Sequence, residues 1–208
     1  MKQGTIIGCA ALLVSAFVLL SCARAGDAGG IASPSAGAAH FDAAGHLLFP
    51  ADYRRWVFLS SGRGMTYSPI AAGAAEPAFD NVFVDPASYE SFLKTGTWPD
   101  GTMLVLEVRG GRSKESINLH GAFQAGDALA REIHVKDTKR FKNGWAFFSF
   151  DGEKPADMIP ATASCYSCHR DHAAVDTTFA QFYPTLLPIS TKAGTLSQAY
   201  RDEEARRP

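Results

Sequence analysis

The sequence predicts an α+β domain, built mainly on an antiparallel β-sheet with a few flanking helices. Three observations lead there. Short runs rich in β-branched and aromatic residues at 81–84, 102–108, 132–136 and 144–150 are bounded by turn chemistry, such as Pro99-Asp100-Gly101 and the charged stretch 137–142. One segment, 86–95, carries a complete set of helix start and stop signals. The stretch 40–188, roughly 150 residues, suits one domain with a sizeable core.

The elements follow in order. Met1-Lys2 and the apolar run 5–20 form the n- and h-regions of an export signal, too short for a permanent membrane span. Two processing readings compete at its end. Leu19-Leu20-Ser21-Cys22 resembles a bacterial lipobox, with residues 1–21 removed and Cys22 lipidated; Ala23-Arg24-Ala25 fits an ordinary secretory cleavage site. The lipobox gives Cys22 a role that the other reading does not. The expected location is therefore the bacterial periplasm, with the chain anchored to a membrane by its N-terminal lipid. Residues 22–39 are rich in Ala, Gly, Ser and Pro and read as a flexible linker.

Residues 49–57 read as a short helix, with Pro50 in its first turn and Tyr53, Trp56 and Val57 on one face. Arg54 and Arg55 then point elsewhere, onto a solvated face or beside the propionate of a bound cofactor. Residues 61–77, with Gly62, Gly64, Pro69, Gly73 and Pro77, read as a loop. After the run 81–84, Asp85 is an N-cap and Pro86 a first helical residue. Tyr89, Phe92 and Leu93 form the helix's apolar face, and Gly96 stops it. In 102–108 alternation puts Met103, Val105 and Glu107 on one side and Leu104, Leu106 and Val108 on the other, the core side. Glu107 is then a strand-end charge or a carboxylate beside a pocket. Residues 110–126 read as hairpin or loop. The run 144–150 has aromatics on both faces, so both should be covered. Residues 171–182 suit a helix with Val175, Thr178, Phe179 and Phe182 in one stripe, and 189–208 reads as a polar, peripheral tail.

The chemistry concentrates in Cys165-Tyr166-Ser167-Cys168-His169. Cys-x-x-Cys-His is the attachment signature of c-type haem: two thiols add across the vinyl groups and the histidine ligates the iron. The competing readings are a Cys165–Cys168 disulfide or a thioredoxin-like redox pair, which would normally open a helix after a strand in a βαβ unit. Here the motif follows a Pro/Ala-rich loop and antiparallel segments. One covalent haem c per chain is the expected cofactor. Phe147 and Phe148 are candidates to cover it, with core packing as the alternative. The whole chain has 20 basic and 21 acidic residues; loss of Lys2 with the signal leaves 19 against 21, or −2, with no basic stripe. Nucleic-acid binding is unsupported.

No methionine follows His169, and His172 lies too close in sequence to reach the opposite side of the iron. Upstream candidates for a sixth ligand are Met65, Met103, Met158, His120 and His134, each also readable as a packing or surface residue. With no positive sign of a sixth protein ligand, an open position is expected. That favours binding or turning over a small molecule.

The series Tyr53-Arg54-x-Trp56, Val82-x-Val84-Asp85-Pro86-x-Ser88-Tyr89, Lys94-Thr95-Gly96, Pro99-Asp100-Gly101-Thr102 with Glu107 beyond, Val135-Lys136-Asp137-x-Lys139-Arg140-Phe141, Gly144-Trp145-Ala146-Phe147, the haem motif and Phe182-Tyr183-Pro184 resembles the cytochrome P460 family in content and order. The resemblance runs from about Phe41 to Pro188. It implies an antiparallel sheet domain, often a homodimer, with one five-coordinate c-type haem and the motif histidine proximal. It also implies two branches. In one, a lysine is cross-linked to the haem and the enzyme oxidises hydroxylamine, passing electrons to a redox partner cytochrome. In the other, cytochrome c′-beta, the cross-link is absent and an apolar distal pocket binds nitric oxide and carbon monoxide. Lys94 is the residue the resemblance offers for the cross-link, although Glu90 and Lys94 also suit an i, i+4 surface pair. An enzyme would in addition need a carboxylate for proton transfer, for which Glu107 and Asp151 are the candidates. The expected order is a gas-binding or redox haem protein first, a hydroxylamine oxidoreductase second and a simple electron carrier third.

Overall fold

A computed structural model describes residues 39–65, 67 and 77–207, all within one compact unit. The readings of an export signal, of Cys22 and of the linker up to residue 38 fall on residues outside those described. The described chain is α+β, organised on a five-stranded antiparallel sheet in sequence order: β1 (Val57–Arg63), β2 (Phe79–Val84), β3 (Met103–Ser113), β4 (Ala122–Lys136) and β5 (Trp145–Ser149). Four helices flank it: α1 (Pro86–Thr95), α2 (Ser164–His172), α3 (Leu187–Ala193) and α4 (Gln198–Glu204).

Strand alternation divides the sheet into two covered faces. On one, Met103, Val105, Ile133, Val135 and Phe148 pack with Leu47, Tyr53 and Trp56 from the N-terminal segment. On the other, Leu104 and Trp145 pack with Phe92 of α1 and with Val175, Tyr183 and Leu186 from the chain after α2. The central strands are therefore apolar on both sides, which is why 103–108 does not show a clean polar alternation.

Helix α1 has the bounds that its capping residues dictate. The Asp85 carboxylate accepts from the Ser88 backbone N–H (2.9 Å), and its second oxygen accepts from Met103 N–H (3.0 Å), which joins the helix start to β3. At the other end Gly96 is left-handed (φ 72°). Its backbone is also crowded: an added Cβ would lie 2.6 Å from Ala193 Cβ, and the Gly96 carbonyl accepts from the Ser190 hydroxyl (2.9 Å) and from Thr195 Oγ1. Gly96→Ala is expected to destabilise the fold by more than ~1 kcal/mol, because the left-handed cost adds to a clash with α3; a thermal melt checks this.

Several expectations are corrected. Residues 49–57 give only a short 3-10 turn at Tyr53–Arg55 before β1 begins. Residues 61–63, expected in a loop, complete β1, because pairing of Ser61, Gly62 and Arg63 with Asn81, Asp80 and Phe79 outweighs the local glycine signal. The 110–126 region, by contrast, takes the hairpin alternative expected for it, as the far part of a long β3–β4 hairpin. The expected helix over 171–182 is not formed. The helix is α2, carrying the motif itself, and the chain then turns through Asp176 (φ 52°) and a Val175–Thr178 bridge into a 3-10 turn at Ala180–Phe182. Nor are residues 189–207 peripheral. Ser190 is fully buried, α3 packs on α1 and α4 on α2, and Leu196 and Tyr200 join the second core.

Candidate functional site

Helix α2 builds the centre of the site. Cys165, Cys168 and His169 are spaced i, i+3, i+4, so they share one side of the helix. Both thiols are free and half-buried; burial pushes the Cys168 thiol up, with the charge of Asp171 adding to it. The helix is moored to the sheet by Tyr166, whose hydroxyl donates to the Ile159 carbonyl (2.9 Å) and accepts from the Phe147 N–H (3.3 Å). From the other side α4 clips the chain that leaves α2: Ser197 N–H and Oγ donate to the Ala174 and Ala173 carbonyls (2.8 and 2.6 Å), and His172 Nδ1 pairs with Glu203 (3.0 Å).

His169 is held in one tautomer. Its Nδ1 lies 2.7 Å from the Thr177 carbonyl, which only accepts, so Nδ1 carries the proton and Nε2 is left with its lone pair. Burial lowers the His169 pKa, against the raising effect of that hydrogen bond, which favours the neutral ring that metal binding needs. The rings of Phe147 (4.6 Å between centroids) and Phe179 (4.3 Å) pack on it.

The imidazole borders a cavity of about 370 Å³ between the motif region and the sheet. Its apolar walls include Val82, Leu104 and Leu106 from the strands and Phe147, Phe179 and Phe182 around His169. Met65 and Tyr67 line it beyond β1. Two carboxylates also line it, Asp80 of β2 and Glu132 of β4. Burial raises both pKa values, and the charge of Asp80 raises Glu132 further. No lysine among the described residues lines the cavity.

The model of the cytochrome P460 family matches residues 50–180, more than half the chain. The chain belongs to the cytochrome P460 family. It is accordingly a haem cytochrome. No curated protein matches the sequence. The matched segment contains the whole sheet, α2 with its motif, and the 175–178 turn whose Thr177 carbonyl bonds His169. The residues fit a haem: an aromatic and aliphatic cleft, a neutral imidazole with a free Nε2, and two free thiols on the same helix as that imidazole.

Of the residues singled out in the sequence, cytochrome P460 architecture brings Phe147 and His169 together and separates four others from them. Phe148 is fully buried on the opposite face of the sheet, against Phe41 and Phe141, because neighbouring strand residues point to opposite sides. Glu107 is on that opposite face too. Its carboxylate takes hydrogen bonds from the Tyr53 hydroxyl, from Arg54 and from Arg109 Nε (2.6 Å), so it is a structural ion-pair centre and not a proton carrier for the cavity. Lys94 is exposed on the outer side of α1 and does not line the cavity. Asp151 is exposed and paired with Lys154 (2.6 Å). His134 does line the cavity, but it stands edge-on to His169 at 5.3 Å between centroids. Two metal–nitrogen bonds of about 2 Å plus half a ring on each side exceed that separation, so His134 is not a ligand opposite His169.

Asp80 and Glu132 were not singled out from the sequence. Each sits in a strand whose hydrophobic pattern hides its facing, and they meet only through pairing, with Val82 opposite Leu106 and Leu106 opposite Glu132. The alternation of Glu132 with the apolar Ile133 was the available signal.

Proposed function

We propose that this chain is an exported mono-haem c-type cytochrome whose haem is joined to Cys165 and Cys168, ligated by His169, and open on its other side to small nitrogen-oxide ligands such as nitric oxide. The observation that carries the reading is the His169 tautomer: Nδ1–H donates to Thr177 and Nε2 is the free nitrogen at an apolar cavity. When bound, the haem supplies an iron centre for a diatomic ligand or for electron exchange. The chain's residues do the rest. His169 would hold the iron, Val82, Leu104 and Leu106 would keep water from it, and Phe147 and Phe179 fix the imidazole. The sequence pattern of residues 1–22 supports periplasmic export and lipid anchoring at Cys22; a redox partner cytochrome and a homodimer rest on the sequence resemblance alone.

Titration of the ferrous protein with nitric oxide tests this reading. One equivalent per chain, with a shifted Soret band, is expected; no binding contradicts it.

A second reading, oxidation of hydroxylamine, is favoured by Asp80 and Glu132, whose raised pKa values suit proton acceptors at a cavity. It requires a lysine–haem cross-link in the family's enzymatic branch, and no lysine among the described residues lines the cavity. Mass spectrometry of tryptic haem peptides separates the two. Haem joined only to the peptide containing Cys165 and Cys168 is expected; a second attached peptide containing lysine would support the enzyme. A six-coordinate electron carrier has one observation in its favour, the presence of Met65 at the cavity, and its optical signature is distinct.

A further inference from the structure

Thr177 touches both cavity histidines. Its carbonyl accepts from His169 Nδ1–H at 2.7 Å, and its hydroxyl is hydrogen-bonded to His134 Nε2 at 3.3 Å. His134 is itself a rigid post: buried, stacked on Phe147 (4.0 Å, 15° between planes) and packed against Trp145 (4.3 Å). Two residues further along the same face of β4, Lys136 donates to Asp176, the neighbour of Thr177 (3.1 Å), and to the Trp98 carbonyl (2.8 Å). Thr97 Oγ1 donates to the same Asp176 oxygen (3.2 Å), and Trp98 Nε1–H donates to Thr178 Oγ1 (2.7 Å). β4 thus holds Asp176 and Thr177, and Trp98 holds Thr178, so the carbonyl that accepts from His169 Nδ1–H is anchored from both sides.

We propose that His134 is a positioning residue for the iron ligand, acting through the Thr177 hydroxyl to hold the Thr177 carbonyl against His169 Nδ1–H, with Lys136 and Asp176 as the second point of the grip. The inference rests on the reading of His169 as the ligand. The physical reason is that a hydrogen bond from the far nitrogen of a ligating imidazole fixes its rotation and makes the ring a stronger donor to the metal. A carbonyl on a turn gives that effect only if the turn cannot drift. Asp176 in its left-handed conformation is such a turn, and β4 anchors it.

The test uses the full-length holoprotein and the variants Thr177→Val, Thr177→Ser and His134→Phe. Thr177→Val keeps the carbonyl and the branched shape and removes only the hydroxyl; His134→Phe keeps the stack and removes the nitrogen. The readouts are the iron–histidine stretching band of the ferrous protein in resonance Raman and the reduction midpoint. Thr177→Val and His134→Phe are expected to move the band to lower frequency and the midpoint to higher potential, while Thr177→Ser returns both to the wild-type values. A merely structural role would lower thermal stability and leave the band where it is. A wild-type band in Thr177→Val overturns the proposal while leaving His169 as the ligand. Should His134→Phe fail to fold, Thr177→Val and its serine rescue decide alone. Absence of any iron–histidine band in the wild type overturns the ligand reading and this proposal with it.

Discussion

His169→Ala is expected to yield a protein that still carries covalent haem but has lost its iron–histidine band entirely. The two functions of the motif are separable on α2. Thioether formation needs Cys165 and Cys168, which lie on the helix independently of the imidazole, and the helix keeps its mooring through Tyr166, Ser197 and Glu203. Removing the imidazole leaves the Thr177 carbonyl without its donor and opens space between Phe147 and Phe179. Added imidazole should enter that space and restore a nitrogen-ligated spectrum. An unchanged spectrum in His169→Ala, without added imidazole, contradicts the assignment of the ligand.

The largest effect on stability is expected from Glu107→Ala. Glu107 is 1% exposed and is the common acceptor for Tyr53, Arg54 and Arg109, with Asn81 at 3.5 Å. Removing it strands Arg109, whose side chain is 17% exposed, beside a hole of carboxylate size. Loss of one partner of a buried pair costs about 3–5 kcal/mol, and urea denaturation at neutral pH measures it. The pH dependence has a definite sign. Burial alone would raise the Glu107 pKa, but hydrogen bonds from Arg109 and Tyr53 and the charges of Arg109 and Arg54 outweigh it and hold the carboxyl below its ordinary value. A depressed folded-state pKa means that the contribution is complete above the unfolded carboxyl value of about 4.3 and is lost as pH falls through the folded value. Glu107→Gln should therefore flatten the acid limb of the stability profile. A limb of unchanged steepness in that variant would show that other carboxylates set it.

What could be read from the sequence follows the range of the signals. Asp85, Pro86 and Gly96 act within a turn of their own positions, so α1 was predicted with the observed bounds. The haem motif is equally local, and Phe147 lies near it through simple strand alternation. Facing was harder. Met103 and Val105 are as buried as Leu104, so the pattern of β3 did not say which side the cavity was on, and Glu107 could be assigned to either. The stripe of Val175, Thr178, Phe179 and Phe182 is real, but tertiary bonds from Trp98, Thr97 and Lys136 bend it into turns instead of a helix. Asp80, Glu132 and His134 converge only through pairing of strands distant in sequence, which no window of neighbouring residues contains. Lys94 lies outside the cavity for a simpler reason: Phe92 is the residue that α1 turns inward.

A haem iron held by His169 with its other side open is the arrangement proposed for this chain. The optical spectrum of the dithionite-reduced protein, recorded before and after carbon monoxide, tests it most directly. A broad high-spin band that sharpens and shifts with carbon monoxide is predicted. Sharp, split low-spin α and β bands that carbon monoxide leaves unchanged would contradict it, and would point to a sixth ligand such as Met65.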